Sequence, residues 1–327
     1  MGTVHVSAVP SEYVMRAIAQ AWERFWFEPQ PTSTLGVVRI AFGIVVLGWT
    51  VSLAPDLKTF FSRSGIVPAQ PSARWWFDPL KTFNSDAAMY VLYGILVLGA
   101  ICLLVGYQSR LASLVVFLGV LTFTRRNPFI FNSGDVLVRN LAFYLLLAPT
   151  GLSLSVDRWR KEKERFWEFP ARAPWGLRLI QIQLSATYAA TVWAKFRGTT
   201  WNNLTAVSYA LRLKDLERFH VPGFITHSLL LTNIMTLGTL ALEISLAILV
   251  WNRKTRPYVL VLGALMHIAI ALNIMVGFFS MAILTAYLAF VPPETMNVAI
   301  QKARRRFRRT SEPGTPDAVP AATAPAP

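Results

Sequence analysis

The sequence predicts an all-α, polytopic helical membrane bundle of about eight transmembrane helices. Of its 327 residues, 54% are apolar, 15% are charged and 11 are tryptophan, a balance foreign to a soluble domain of this length. Apolar runs that cross or nearly cross a bilayer recur along the chain, separated by short charged segments. The 32 lysines and arginines, against 17 acidic residues, sit mainly between those runs and in the tail. That distribution is membrane-flanking charge, so the strong basic balance does not imply nucleic acid.

Residues 1–32 hold Val14, Ile18, Ala21, Trp22 and Phe25 at helical spacing opposite a charged side, until Pro29 and Pro31 stop the pattern. This predicts an amphipathic helix lying in the membrane interface or packed on the end of the bundle. No removable signal peptide precedes the first span, which is expected to act as an uncleaved insertion signal. The transmembrane domain is expected over 33–293. Its first span, Leu35 to Ala54, carries Arg39 near its start, where the side chain is expected to snorkel toward headgroups. An aromatic-rich connection with Trp75, Trp76 and Phe77 follows over 55–87. Further spans are expected from Ala88 to Gly106, Leu111 to Thr124, Asp135 to Ala148, Gly176 to Trp201, Leu229 to Trp251, Pro257 to Val276 and Phe278 to Val291. The segment between Trp201 and His227 alternates apolar and charged residues at helical spacing, as a cap on the bundle would. Residues 294–327 form a basic juxtamembrane segment and a Pro-, Ala-, Ser- and Thr-rich tail expected to be disordered.

Basic residues concentrate in the loops on the side that holds both ends of the chain. The positive-inside bias therefore predicts a multi-pass protein of the cell membrane with both termini cytoplasmic. Lys195 is then expected at the extracytoplasmic end of its helix and Arg178 at the inner end. The partners implied are membrane lipids, with anionic inner-leaflet lipid at the run Lys302 to Arg309. No protein partner is assigned.

The segment Gly176 to Trp201 organises the chemistry. Arg178, Gln181, Ser185, Tyr188, Thr191 and Lys195 fall within an arc of roughly 140° on a helix. A charged group in hydrocarbon costs at least about 2.5–3.5 kcal/mol, so this wall is expected to face protein or a lined cavity. The alternative is that Arg178 and Lys195 snorkel to opposite interfaces. Lysine becomes a base when desolvation lowers its pKa, which makes Lys195 the leading candidate. Asp135 and Arg139 stand one turn apart, as an ion pair or with Asp135 as a proton acceptor at a cavity mouth. Glu243 is alone in an apolar span and needs a partner, and His267 is similarly placed in the next. The single cysteine, Cys102, excludes an intrachain disulfide and a thiolate-rich metal site. No metal ligands are assigned, and the chain has no G-x-G-x-x-G, P-loop or H-E-x-x-H motif.

The strings N-S-G-D at 132–135, S-V-D at 155–157 and R-L-I-Q-I-Q followed by Tyr188, Lys195 and Trp201, with the spacing from His267 to Ser280, resemble the horizontally transferred transmembrane (HTTM) domain family. That domain is similar to the membrane portion of the vitamin K-dependent gamma-glutamyl carboxylases. The resemblance covers about residues 33–293 and implies a membrane cavity open to the outer side, suited to a quinone-like or isoprenoid ligand. It implies Lys195 as the base that deprotonates the ligand, although one extra residue separates it here from Trp201. His267 and Asp135 are the accompanying catalytic candidates, and Tyr188, Gln181, Trp201 and Asn132 the ligand-lining ones; a quinone is the one cofactor suggested. The carboxylase's assisting histidine falls at Gly134 or Asp135, and the large lumenal region has no counterpart after Val291. Glutamate carboxylation is therefore not expected. A bacterial membrane enzyme, or a non-catalytic scaffold that binds a partner, are the two readings that follow.

Overall fold

The computed structural model describes residues 11–66, 79–83, 85–130 and 132–311. The expected surface aromatics Trp75, Trp76 and Phe77, and the tail beyond Ser311, lie outside the described residues. An amino-terminal helix α1 (Ser11–Phe27) precedes eight helices that match the eight expected spans. These are α2 (Ser33–Ser52), α3 (Asp86–Val105), α4 (Ser109–Arg126), α5 (Ser133–Leu147), α6 (Trp175–Phe196), α7 (Leu229–Ile248), α8 (Arg256–Asn273) and α9 (Phe279–Leu288). A last helix, α10 (Pro293–Ser311), carries the basic run from Lys302. The two-residue strands β1 (Gln30–Pro31) and β2 (Ala171–Arg172) pair antiparallel beside the entry to α2.

Length and composition qualify four segments to cross a bilayer by themselves: Ser33–Phe61, Asp86–Val105, Leu229–Trp251 and Arg256–Asn273. A fifth arises only if α9 and α10, bent by 104°, count as one span. The expected count of eight is not reached on this measure: α6 is long enough but is made too polar by Arg178, Gln181, Gln183 and Lys195, and the other three shortfalls have their own causes. Helix α4 carries Arg110, Arg125 and Arg126 at its ends, and the 15 residues of α5 rise only about 22 Å. Helix α9 has ten residues, nearly all shielded, and packs against α2, α5, α6 and α8. It is a central post, so its apolar side chains serve the core rather than lipid.

Side chains on the outer faces of the long helices are apolar: Leu98 is 63% exposed, Leu237 57% and Leu265 58%. Such stripes would drive aggregation in water and match hydrocarbon in a bilayer. Helix α1 docks only by its last turn, where Arg178 donates from Nε to the Phe25 carbonyl at 3.1 Å and stacks 4.7 Å over the Phe25 ring. Val14, Ile18 and Trp22 on α1 stay exposed.

Arg39 does not snorkel. It is fully buried in α2 and donates from Nη2 to the Leu154 carbonyl at 2.6 Å. The guanidinium reaches that carbonyl because Gly106, at the α3–α4 turn, has no side chain; a Cβ there would collide with Arg39. Gly106 also sits at φ +74°, the left-handed region that glycine enters freely. The S-V-D string holds this turn from the other side. Asp157 accepts from Gln108 N and Ser109 N, each at 2.8 Å, and from Ser109 Oγ at 2.7 Å, capping the start of α4. Its own N–H donates to the Gly106 carbonyl at 3.0 Å.

Partial burial pushes the Asp157 carboxyl up, but the hydrogen bonds from Ser109 and Gln108, with Lys161 nearby, outweigh it and hold the pKa below the ordinary carboxylate value. The unfolded chain therefore binds the proton more readily, so this stabilisation is complete above the unfolded pKa and is lost as pH falls through the folded one. Asp157→Asn is expected to lower thermal stability at neutral pH and to flatten its decline in acid, measured as melting temperature in detergent against pH. An unchanged acid limb would remove Asp157 from that role.

Candidate functional site

Lys195 occupies the last turn of α6, and its Nζ forms an ion pair with Glu243 Oε1 of α7. Both side chains are largely withdrawn, 19% and 9% exposed. Thr191, one turn earlier, directs its hydroxyl at Glu243 Oε2 from 3.5 Å. Gly198 takes an extended conformation after α6, and the short helix Thr199–Asn202 that follows folds Trp201 back, its ring 4.5 Å from Lys195 Nζ. Glu243 has found the partner its apolar span demanded.

The pair is withdrawn between α6 and α7. Glu243 stands eight residues, about 12 Å, from the Trp251 end of its span and about 21 Å from the Leu229 end. Helix α6 runs antiparallel to α7, because Trp251 Nε1 donates to Ser185 Oγ at 2.9 Å while Lys195 meets Glu243 further along. Helix α6 ends part-way along α7, with Lys195 in its last turn. Short helices over 199–226 occupy the remaining length against α7 and bond back to the end of α8, where Arg218 N donates to the Asn273 carbonyl at 3.0 Å. Non-helical backbone at membrane depth is tolerated when protein covers it in this way.

Two turns below Lys195, the buried Tyr188 hydroxyl lies 2.7 Å from His267 Nε2 of α8 and 2.5 Å from the Tyr287 hydroxyl of α9. Tyr287 can enter because α8 offers Gly263, where a Cβ would stand 2.5 Å from its hydroxyl. His267 packs by its ring on Phe279 at 5.6 Å and Tyr287 at 6.1 Å. Two buried polar atoms in this region, His267 Nδ1 and Ser280 Oγ, have no hydrogen-bond partner. Ser280 and Tyr287, seven residues apart, share a face of α9. Tyr287 escaped the sequence analysis; the signal was a lone hydroxylated aromatic in an apolar run, two turns after Ser280.

The remaining candidates are elsewhere. Gln181 is about 21 Å along α6 from Lys195, donating to the Ala289 carbonyl at 2.6 Å and accepting from Arg178 Nη1 at 2.9 Å. Asn132 and Asp135 form a capping box on α5: Asn132 Oδ1 accepts from Gly134 N at 2.7 Å, and Asp135 Oδ2 accepts from Asn132 N at 3.1 Å. The other carboxylate oxygen of Asp135 accepts from Trp49 Nε1 at 2.8 Å. Arg139 forms no ion pair with Asp135 among the described residues, because the carboxylate is turned back to its own helix start. Phe279 touches both regions, its backbone lying against Gly134 and its ring against His267.

Every polar member of the α6 wall has a protein partner. Cavities lie at the Arg178 end of the bundle, the larger two of about 710 and 900 Å³, and Lys195 lines none of the three.

A family model described as the HTTM domain matches residues 27–294. No curated protein and no solved structure matches the chain.

Proposed function

Because the chain belongs to the HTTM domain family, we propose that this membrane protein binds a quinone-like or isoprenoid lipid against the Lys195 wall, with Lys195 as base. The observation that carries the proposal is the withdrawn Lys195–Glu243 pair beside the Trp201 face, two helical turns from the buried cluster of Tyr188, His267 and Tyr287. A bundle that needed only packing would fill these positions with apolar residues, since a buried ion pair barely repays its desolvation. His267 Nδ1 and Ser280 Oγ supply two buried polar atoms able to bond a ligand oxygen. A hydroquinone would bring an acidic hydroxyl to this wall. Lys195 Nζ would take the proton of a bound hydroxyl, and the Glu243 carboxylate beside it would balance the ammonium that forms. Trp201 shields the amine from water, and the Tyr188 hydroxyl orients His267. Both termini are placed on the cytoplasmic side of the cell membrane by loop charge.

A second reading, a scaffold without catalysis, is favoured by the complete pairing of the α6 wall. Mass spectrometry of lipids that co-purify in mild detergent separates the two. The native chain is expected to enrich a quinone or isoprenoid, and Lys195→Ala to lose it. Lys195→Arg keeps the charge but cannot act as a base near neutral pH, so it should fold and yet fail to deprotonate a hydroquinone. Only bulk phospholipid in all three samples would sink the quinone assignment.

A further inference from the structure

The cavity of about 710 Å³ at the opposite end of α6 has a distinct composition. Arg178, Arg253 and Arg256 line it together with Leu177, Leu260 and Val261. Two of the guanidiniums are held by neutral acceptors. Arg178 bonds the Phe25 carbonyl and Gln181 Oε1, and Arg256 donates from Nε to the Val250 carbonyl at 2.9 Å and from Nη2 to the Trp251 carbonyl at 3.2 Å. None of the three takes part in an ion pair among the described residues. The three positive charges act on one another, with Glu28 and the exposed Glu294 as the opposing charges nearby. The first turn of α8 faces the same space and adds its partial positive charge.

The apolar wall leads outward. Val261 is 59% exposed, and Leu265, one turn further along α8, is 58% exposed on the same side. The basic pocket therefore runs without interruption onto a lipid-facing stripe. An occupant that satisfies both parts carries a phosphate-like anion and a hydrocarbon chain.

We propose that this cavity binds the phosphate of an anionic phospholipid between Arg178, Arg253 and Arg256, with one acyl chain lying over Val261 and Leu265. The volume lies within the ordinary range for ligand pockets. The site is separate from the Lys195 region and from the basic run on α10.

The test uses the full chain reconstituted in phosphatidylcholine bilayers with a minor fraction of phosphatidylglycerol, followed by native mass spectrometry of retained lipid. The native chain should retain phosphatidylglycerol preferentially. The Arg253 side chain forms no hydrogen bond or ion pair among the described residues, so Arg253→Gln should keep the melting temperature and lower that retention about fivefold, the factor one basic residue contributes near anionic lipid. Lys214→Gln, an exposed lysine at the opposite end of the bundle, should leave it unchanged. Equal retention by Arg253→Gln would overturn the site. An equal loss in both variants would reduce it to surface attraction, and stabilisation by inorganic phosphate as strong as by the lipid would make the occupant a free anion; either result overturns the proposal.

Discussion

Glu243→Ala should be among the most destabilising single substitutions in the bundle. It leaves the Lys195 ammonium without its counter-charge at a depth where the side chain is only 19% exposed. Breaking one partner of a buried pair costs about 3–5 kcal/mol, because the surviving charge stays desolvated. Thermal unfolding in mild detergent should show this as a marked fall in melting temperature. Lys195→Ala removes the charge of the opposite sign and also the contact with Trp201, and should likewise be destabilising. The double variant should be less destabilised than the two singles added together, with a coupling of about 1–3 kcal/mol. Lys195→Met combined with Glu243→Leu should approach native stability while losing ligand retention. Additive single effects would mean that the two side chains do not meet.

Gly106→Ala tests the packing at the other end of the molecule. Holding a non-glycine residue in the left-handed region costs about 1–2 kcal/mol. The new methyl group also meets the buried Arg39 guanidinium, and overpacking of this kind costs about 1–3 kcal/mol. A combined loss of about 2–5 kcal/mol is expected in the same unfolding measurement. Pairing the change with Arg39→Ala should recover only the guanidinium share of the overpacking, leaving the clash with Ser155 Cβ and the conformational part, against the separate cost of orphaning the Leu154 carbonyl. A neutral Gly106→Ala would mean that neither the turn nor the guanidinium constrains this position.

Helix existence was legible in the residues because apolar runs and their charged separators are local signals. Depth was not. Gly176 to Trp201 reads as one span, since Thr199, Thr200 and Trp201 continue an apolar, helix-compatible pattern, yet the chain leaves the helix at Gly198. Lys195 and Glu243 were each visible as an anomaly, but their meeting depends on the antiparallel stagger of α6 and α7, which no short window contains. Arg39 was misplaced for a different reason: its partner is a backbone carbonyl, and a carbonyl has no letter in the sequence. With Asp135 the signal was present and read as chemistry. N-S-G-D is a capping box, and hydrogen-bond geometry explains it without a substrate. The strings that carry the family resemblance thus divide into two kinds. N-S-G-D and S-V-D hold turns and helix starts, while Tyr188, Lys195, Trp201 and His267 converge in the bundle interior.

The pairing of Lys195 with Glu243 has a consequence for how the protein is made. The two residues are 48 positions apart, and the lysine is synthesised first. At about 5–20 residues per second, roughly 2–10 seconds pass before the carboxylate follows. Throughout that interval α6 carries the Lys195 ammonium without its partner carboxylate. The packing of α6 against α7 through this pair is therefore completed only after α7 has been made.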